Sequence, residues 1–304
     1  SFYQSLNGIN LFNMELVEKN RVSSFFGDEL KMGGYFMRLF PIFISLIFLF
    51  YEKKKYQKFL SIFFLFILLI QITIYLSGER TSFILFNFTI FLFIIFLNDL
   101  KFLKIIFTVF YILSFILLIN LDTPYKKRLI DLTLNQTNIV SNQSNKFIFS
   151  KQYQEHYLSA WSMFKDHKVT GIGPKNFRVK CKDAKYNYSN LTCSTHPHNF
   201  AIQLLSETGI LGFSVYFILN IILWYSLIKS LFVRLIKKIK IFDNFQISLL
   251  IGTAILIWPL APNGNFFNNW LSILLYFSAG ISLYAFKKHL KIPKKLTNIK
   301  KFII

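Results

Sequence analysis

Acid is scarce in this chain. Fourteen Asp and Glu stand against 35 Lys and Arg in 304 residues, a formal net charge of +21. No pair of carboxylates and no Ser-His-Asp order stands out, so neither carboxylate-pair chemistry nor a serine triad is expected. Cysteine is scarcer still: Cys181 and Cys193 are the only two. They form no CxxC and no metal-ligand spacing, and no metal or other cofactor is expected. The Gly171-Ile172-Gly173-Pro174 run lacks the Gly-Lys-Ser/Thr ending of a phosphate-binding loop and reads as a tight turn. No internal repeat is visible. The excess of base does not point to nucleic acid, because Lys and Arg are not interleaved with aromatics as a binding face. They cluster between apolar runs.

Those runs dominate the chain. It is 54% hydrophobic and 19% aromatic, with 38 Phe. Soluble domains average about 45–50% apolar. Seven stretches are long enough to cross roughly 30 Å of hydrocarbon. They lie near 34–51, 57–77, 81–97, 102–120, 200–228, 245–261 and 269–286, the fifth with a possible break at Gly209 and Gly212. The fold class expected is all-α and multi-spanning. Basic connections around Lys53, Lys101 and Lys237 and the basic tail over 287–304 alternate with connections nearly free of base. Positive charge marks the cytoplasmic side. That puts the C-terminus inside; the first 33 residues, the Gly78–Arg80 turn, the 121–199 loop and the PNGNFFNN turn over 262–269 lie outside. The chain then divides into 1–120 (outer loop and four spans), 121–199 (long outer loop), 200–286 (three spans) and the tail. Both cysteines lie in the long loop. A Cys181–Cys193 disulfide would contribute about 3 kcal/mol and persist only in an oxidising compartment.

The chemistry-bearing residues collect where that loop meets the fifth span. His198 directly precedes a helix of pattern NFAIQLLSE, and Asn199 suits its N-cap. The positive end of a helix disfavours imidazolium, so His198 is expected to stay neutral, as a general base must. His196 is the rival base, and spacing does not separate the two. Asn199, Gln203 and Glu207 recur every four residues as one polar stripe. Arg80 stands in a short outer turn, where a guanidinium suits phosphate oxygens. Arg128 and Arg178 are further candidates for anion binding. Arg21 and Arg38 flank the first span and either complete a polar vestibule or pair within the loop. His156 reads as an ordinary loop residue. In the loop's second half Tyr157, Trp161 and Phe164 recur at helical spacing, and the GIGP turn ends that helix.

Four segments together resemble the O-antigen ligase and O-antigen polymerase family of bacterial membrane glycosyltransferases. They are RVSSFFGDELKMGGYF before a span, SGERTSFIL at an outer turn, AWSMFKDHKVTGIGPKNFR, and CSTHPHNFAIQLLSETGILGF, the most specific. The resemblance implies a GT-C-like helical bundle in the bacterial inner membrane with a long, partly helical periplasmic loop. It implies transfer of glycan from an undecaprenyl-diphosphate carrier to an acceptor hydroxyl, without nucleotide sugar or metal. The acceptor is a lipid A-core sugar in ligases and a carrier-linked repeat unit in polymerases. By resemblance His198 is the base and Arg80 holds the diphosphate. Arg128, Arg178, His196, Asn199 and Glu207 are the remaining substrate-binding candidates. Ligases often carry a second arginine shortly before the loop Trp; here that stretch reads QEHYLSAW, which leans toward a polymerase. Lys168 stands where proline is common. Family members usually have more spans, so N-terminal helices are expected to be missing. The alternatives are a lipid-linked glycan transporter and a non-catalytic membrane scaffold. Ionisable residues are nearly absent from the spans, which argues against the transporter.

Overall fold

The structure is a computed structural model and describes residues 1–50, 53–98, 101–136 and 149–287. Of the basic tail expected over 287–304, all but Lys287 lies outside them. The described residues form helices: α1 (Phe2–Asn7), α2 (Met32–Phe50), α3 (Lys53–Leu76), α4 (Arg80–Phe96) and α5 (Lys101–Asn120). Next come α6 (Pro124–Lys126), a π-turn, α7 (Leu132–Gln136), α8 (Lys151–Asp166) and α9 (Phe177–Lys180). The series closes with α10 (Phe200–Lys237), α11 (Asn244–Leu256) and α12 (Asn269–Lys287). A helix thus occupies each of the seven apolar stretches. Met32–Phe50 and Phe200–Lys237 are long and apolar enough to cross a membrane. Lys104–Asn120 with Pro124–Gln136 forms a further candidate, bent by 93°. Shorter apolar helical stretches, of 10–17 residues, run over Phe64–Leu76, Arg80–Phe96, Asn244–Leu256 and Asn269–Leu283.

The core is built around α11. A capping box at Asp243 starts it, and every residue from Phe245 to Leu256 is buried. It packs against α2, α12, α10 and α4. Gly252 lets α2 close in, since a Cβ there would lie 2.7 Å from the Pro41 Cβ. By contrast α5 and the later part of α10 turn large apolar side chains outward, among them Ile105, Phe110, Val215 and Phe232. Such contiguous apolar surface is what lipid covers.

Helix α10 is broken at Gly209, whose φ of 62° and ψ of −163° are open essentially to glycine alone. The loop before α9 fills the break. Ile172 and Gly173 N–H donate to the Ser206 and Glu207 carbonyls at 2.9 Å, and the Lys168 carbonyl accepts from Ile210 N–H at 2.8 Å. Backbone groups freed by the break are therefore satisfied by protein, as a low-dielectric setting demands. A Cβ on Gly209 would sit 2.2 Å from the Val169 carbonyl oxygen, and one on Gly171 would sit 2.4 Å from the Glu207 carbonyl carbon. Gly209→Ala is expected to destabilise the protein by roughly 3 kcal/mol from backbone strain, with the clash in addition. The thermal midpoint of the detergent-solubilised protein measures it; an unchanged midpoint would show the break is loosely held.

Candidate active site

The His-Pro-His-Asn loop is short and held from both sides. Cys193 just before it is disulfide-bonded to Cys181 at the end of α9, with Cα atoms 5.3 Å apart. At its other end the Asn199 side chain caps α10 by accepting from Ile202 N–H. The Asn199 amide also donates to the carbonyls of Pro259 (2.7 Å) and Ala261 (3.3 Å). His198 is left-handed, with φ of 60°. Its carbonyl accepts from Asn263 N–H at 2.6 Å. The turn between α11 and α12 thus fixes the histidine backbone in a conformation that costs energy.

This geometry separates the two histidines. His196 is buried and both its ring nitrogens are engaged. Nε2 faces the Asn263 carbonyl at 3.3 Å, so it must carry the proton. Nδ1 then accepts from the Thr195 hydroxyl at 2.9 Å. The His198 ring is half-buried and makes no hydrogen bond to any described residue. Its neighbours are aromatic: His196 at 4.0 Å, His156 at 5.4 Å and Tyr153 at 5.4 Å between ring centroids. Burial first, and His156 second, pull the His198 imidazole down to about 4. Burial, and then His198, take His196 to about 3. Both are neutral near pH 7, and only His198 has free nitrogens.

A depressed histidine makes the unfolded chain bind more protons than the folded one. Stability is then fully present above about pH 6.5 and falls as pH drops toward 4. The thermal midpoint is expected to decline across that window. A midpoint flat from pH 7 to 4 would contradict the burial of these rings.

His156, read from sequence as an ordinary loop residue, is a correction. It is fully buried on α8. Neither of its ring nitrogens completes a hydrogen bond within the described residues, although the Leu191 backbone lies near. The buried face of α8 is His156, Ser159, Ala160 and Met163. That face lies one residue round from the Tyr157, Trp161 and Phe164 series.

Glu207 and Asn199 are buried as well. The Glu207 carboxylate has no exposed surface. It accepts from Phe177 N–H at 3.0 Å and from the Gln203 amide at 2.9 Å. Gln203 also donates to Asn265 and accepts from Phe266 N–H. The polar stripe is consumed in joining α9, α10 and the 259–268 turn. These side chains hold the loop against its neighbours.

A cluster of arginines surrounds the 77–79 turn. Arg80 Nε donates to the Arg128 carbonyl at 3.1 Å, and Nη1 to Gln136 at 2.6 Å. Arg128 Nε donates to the Gly78 carbonyl at 3.1 Å, and its Nη1 pairs with Glu18 at 3.2 Å. Arg21 donates to the Leu30 carbonyl at 3.0 Å, while its buried Nε has no partner among the described residues. Gly78, at φ of 62°, is squeezed between them. A Cβ there would be 3.0 Å from Arg21 Cγ and 3.1 Å from Arg128 Cδ. Burial first, and Arg128 next, hold the Arg21 guanidinium below its ordinary range. Glu18 also pairs with Arg21, at 3.7 Å, and offsets part of this charge; the positive charge that remains favours an anionic ligand. Arg178 is not among them. It is exposed on α9, on the His196 side.

A buried relay joins the two regions. Glu79 in the arginine turn accepts from Gly33 and Gly34 N–H at the start of α2, at 2.7 and 3.0 Å. One turn on, Arg38 donates to the Gly34 carbonyl and to Asn263 Oδ1 at 2.7 Å, with its guanidinium 5.3 Å from the Trp270 ring. Asn263 in turn carries the His198 carbonyl.

A family profile described as O-antigen ligase matches residues 63–217. The chain belongs to the O-antigen ligase family. The matched segment contains Arg80, Arg128, α8, both cysteines, both loop histidines and the break in α10. It leaves out Arg21, Arg38 and Asn263. No curated protein matches the chain. An O-antigen ligase fits the apolar helices, which mark a membrane protein, and the family carries glycosyltransferase activity. Among the described residues, no group of three His, Cys, Asp or Glu could hold a metal ion.

Proposed function

We propose that this O-antigen ligase family member moves or polymerises glycan from an undecaprenyl-diphosphate carrier onto an acceptor hydroxyl. The work is done at the non-cytoplasmic face of the bacterial inner membrane. The observation that carries this reading is the free His198 ring, linked to the arginine cluster through Tyr153 of α8. Its ring is 5.4 Å from His198, and its hydroxyl is within electrostatic reach of Arg80, Arg128 and Arg21.

In the proposed reaction His198 takes the proton of the acceptor hydroxyl as its oxygen attacks the anomeric carbon. The carbon–oxygen bond to phosphate breaks, and the electron pair leaves on the diphosphate. Arg80 and Arg128 meet the charge gathering there. With His198 as the base and no nucleophilic carboxylate beside it among the described residues, the proposed reaction is a single displacement that inverts the anomeric configuration. A base at about 4 is a weak proton acceptor. The carrier's diphosphate beside it would raise that value, so the donor itself prepares the base.

Sidedness is supported by the two ends of α4. Arg80 begins it. At the other end Arg234 donates to the carbonyls of Ile95, Phe96 and Leu97, each at 2.7 Å, among the basic connections. The histidine and arginine rim therefore lies at the end of α4 away from the short basic connections, and the positive-inside bias, which is counted over short loops, puts it outside. Incubation of purified protein with lipid-linked glycan tests the reading. Released carrier diphosphate supports an enzyme; none released, with glycan bound or moved intact, supports a transporter or scaffold. A deletion strain separates the two acceptors. Single repeats without long chains mark a polymerase, and bare core with carrier-linked polymer marks a ligase.

A further inference from the structure

We propose that Tyr153 is a donor-binding residue whose hydroxyl donates a hydrogen bond to the carrier diphosphate, completing a site formed with Arg80, Arg128 and Arg21. The proposal rests on the reading of His198 and Arg80 given above and adds a ligand to it. Tyr153 is half-buried on α8, two residues after the helix begins at Lys151. Its ring is placed by three neighbours: His198 at 5.4 Å, His156 at 6.2 Å and Tyr157 at 6.4 Å, the last nearly parallel at 11°. Its hydroxyl forms no hydrogen bond with a described residue, yet it is within electrostatic reach of three guanidinium groups. Those groups are donors only and offer a phenol nothing to donate to. A hydroxyl so placed lacks an acceptor. A phosphate oxygen supplies one, and it is what the three arginines also require.

Arg21 enters by the same logic. Its Nε is buried and unpartnered, while its other contacts hold the side chain against the 77–79 turn. The stretch before the loop Trp holds no arginine here, and Arg21 supplies a guanidinium from another part of the chain. Burial raises the Tyr153 phenol and the arginines lower it, with burial the larger influence. The hydroxyl therefore keeps its proton near pH 7 and serves as a neutral donor. It gives up no proton in the reaction, because a diphosphate leaves as an anion without one.

The test is binding of undecaprenyl diphosphate to the full chain in detergent, compared across Tyr153→Phe, Tyr153→Ala, Arg80→Ala and His198→Asn. Tyr153→Phe keeps the ring and its packing and removes one oxygen. It is expected to weaken binding by roughly 10- to 100-fold, the range for a hydrogen bond to a charged group. The thermal midpoint should not move. Undecaprenyl monophosphate should feel the substitution less. Affinity within twofold of the unmodified chain for Tyr153→Phe, with Tyr153→Ala impaired, would reduce Tyr153 to a packing role and overturn the proposal. His198→Asn is expected to retain affinity, since the base contacts the acceptor. Arg80→Ala is expected to lose it. If Arg80→Ala binds normally as well, the donor site lies elsewhere and both this inference and the reading beneath it fall. If only the tyrosine is silent, that reading stands.

Discussion

His198→Asn is expected to lower glycan transfer by about 10²- to 10⁴-fold, the contribution typical of a positioned base. Asparagine is the informative replacement because it tolerates a left-handed backbone better than alanine does, and His198 sits at φ of 60°. The loop should keep its shape and lose only its proton acceptor. His196 provides the contrast. Its two ring nitrogens hold Thr195 and Asn263, so His196→Asn should lower the thermal midpoint as well as the rate. The pH profile adds a second readout. A base must be neutral, so the rate falls as pH drops through its pKa. That limb should lie above the unliganded value of about 4, because bound diphosphate raises it. Residual activity of His198→Asn should lack the limb. Transfer near the unmodified rate in this variant would remove His198 from the chemistry.

Arg80→Ala is expected to cost about 10²- to 10³-fold in transfer, in line with loss of one preorganised group that meets developing negative charge. Two of its nitrogens are tied to the Arg128 carbonyl and Gln136, so the planar fork is already oriented before a ligand arrives. Orientation set in advance is what makes such a group effective. Arg80→Lys keeps the charge and loses the fork, and should recover only part of the rate. Arg128→Ala should do less damage, since Glu18 already neutralises part of that charge. The decisive measurement is the rate at saturating donor alongside donor affinity. If neither changes in Arg80→Ala, the diphosphate is held by other groups.

Helices were readable because apolar runs announce them whatever their partners. So were the His-Pro-His-Asn loop and the break at Gly209, whose residues differ from their surroundings. What escaped was the identity of partners distant in the chain. Arg21 and Arg128 look alike as basic loop residues, and only the fold brings both against Gly78. Tyr153 and His156 carried no signal, because the helical period of α8 is equally satisfied by the series one residue round. Glu207 looked like an intramembrane polar group awaiting a ligand; its acceptors are taken by Phe177 and Gln203. Asn263 sat in a turn read only as outer, yet it holds His198, His196 and Arg38 together.

The strut that carries Arg80 at one end and meets Arg234 at the other is short. Helix α4 has 17 residues. At the usual rise that is about 25 Å, against a hydrocarbon layer of roughly 30 Å. A bilayer can meet so short a span by dimpling inward around it. The dimple would draw lipid phosphates down to the level of the guanidinium groups. A carrier diffusing in the leaflet would then slide in sideways with its diphosphate already at the right depth, and would not have to rise out of the lipid to react.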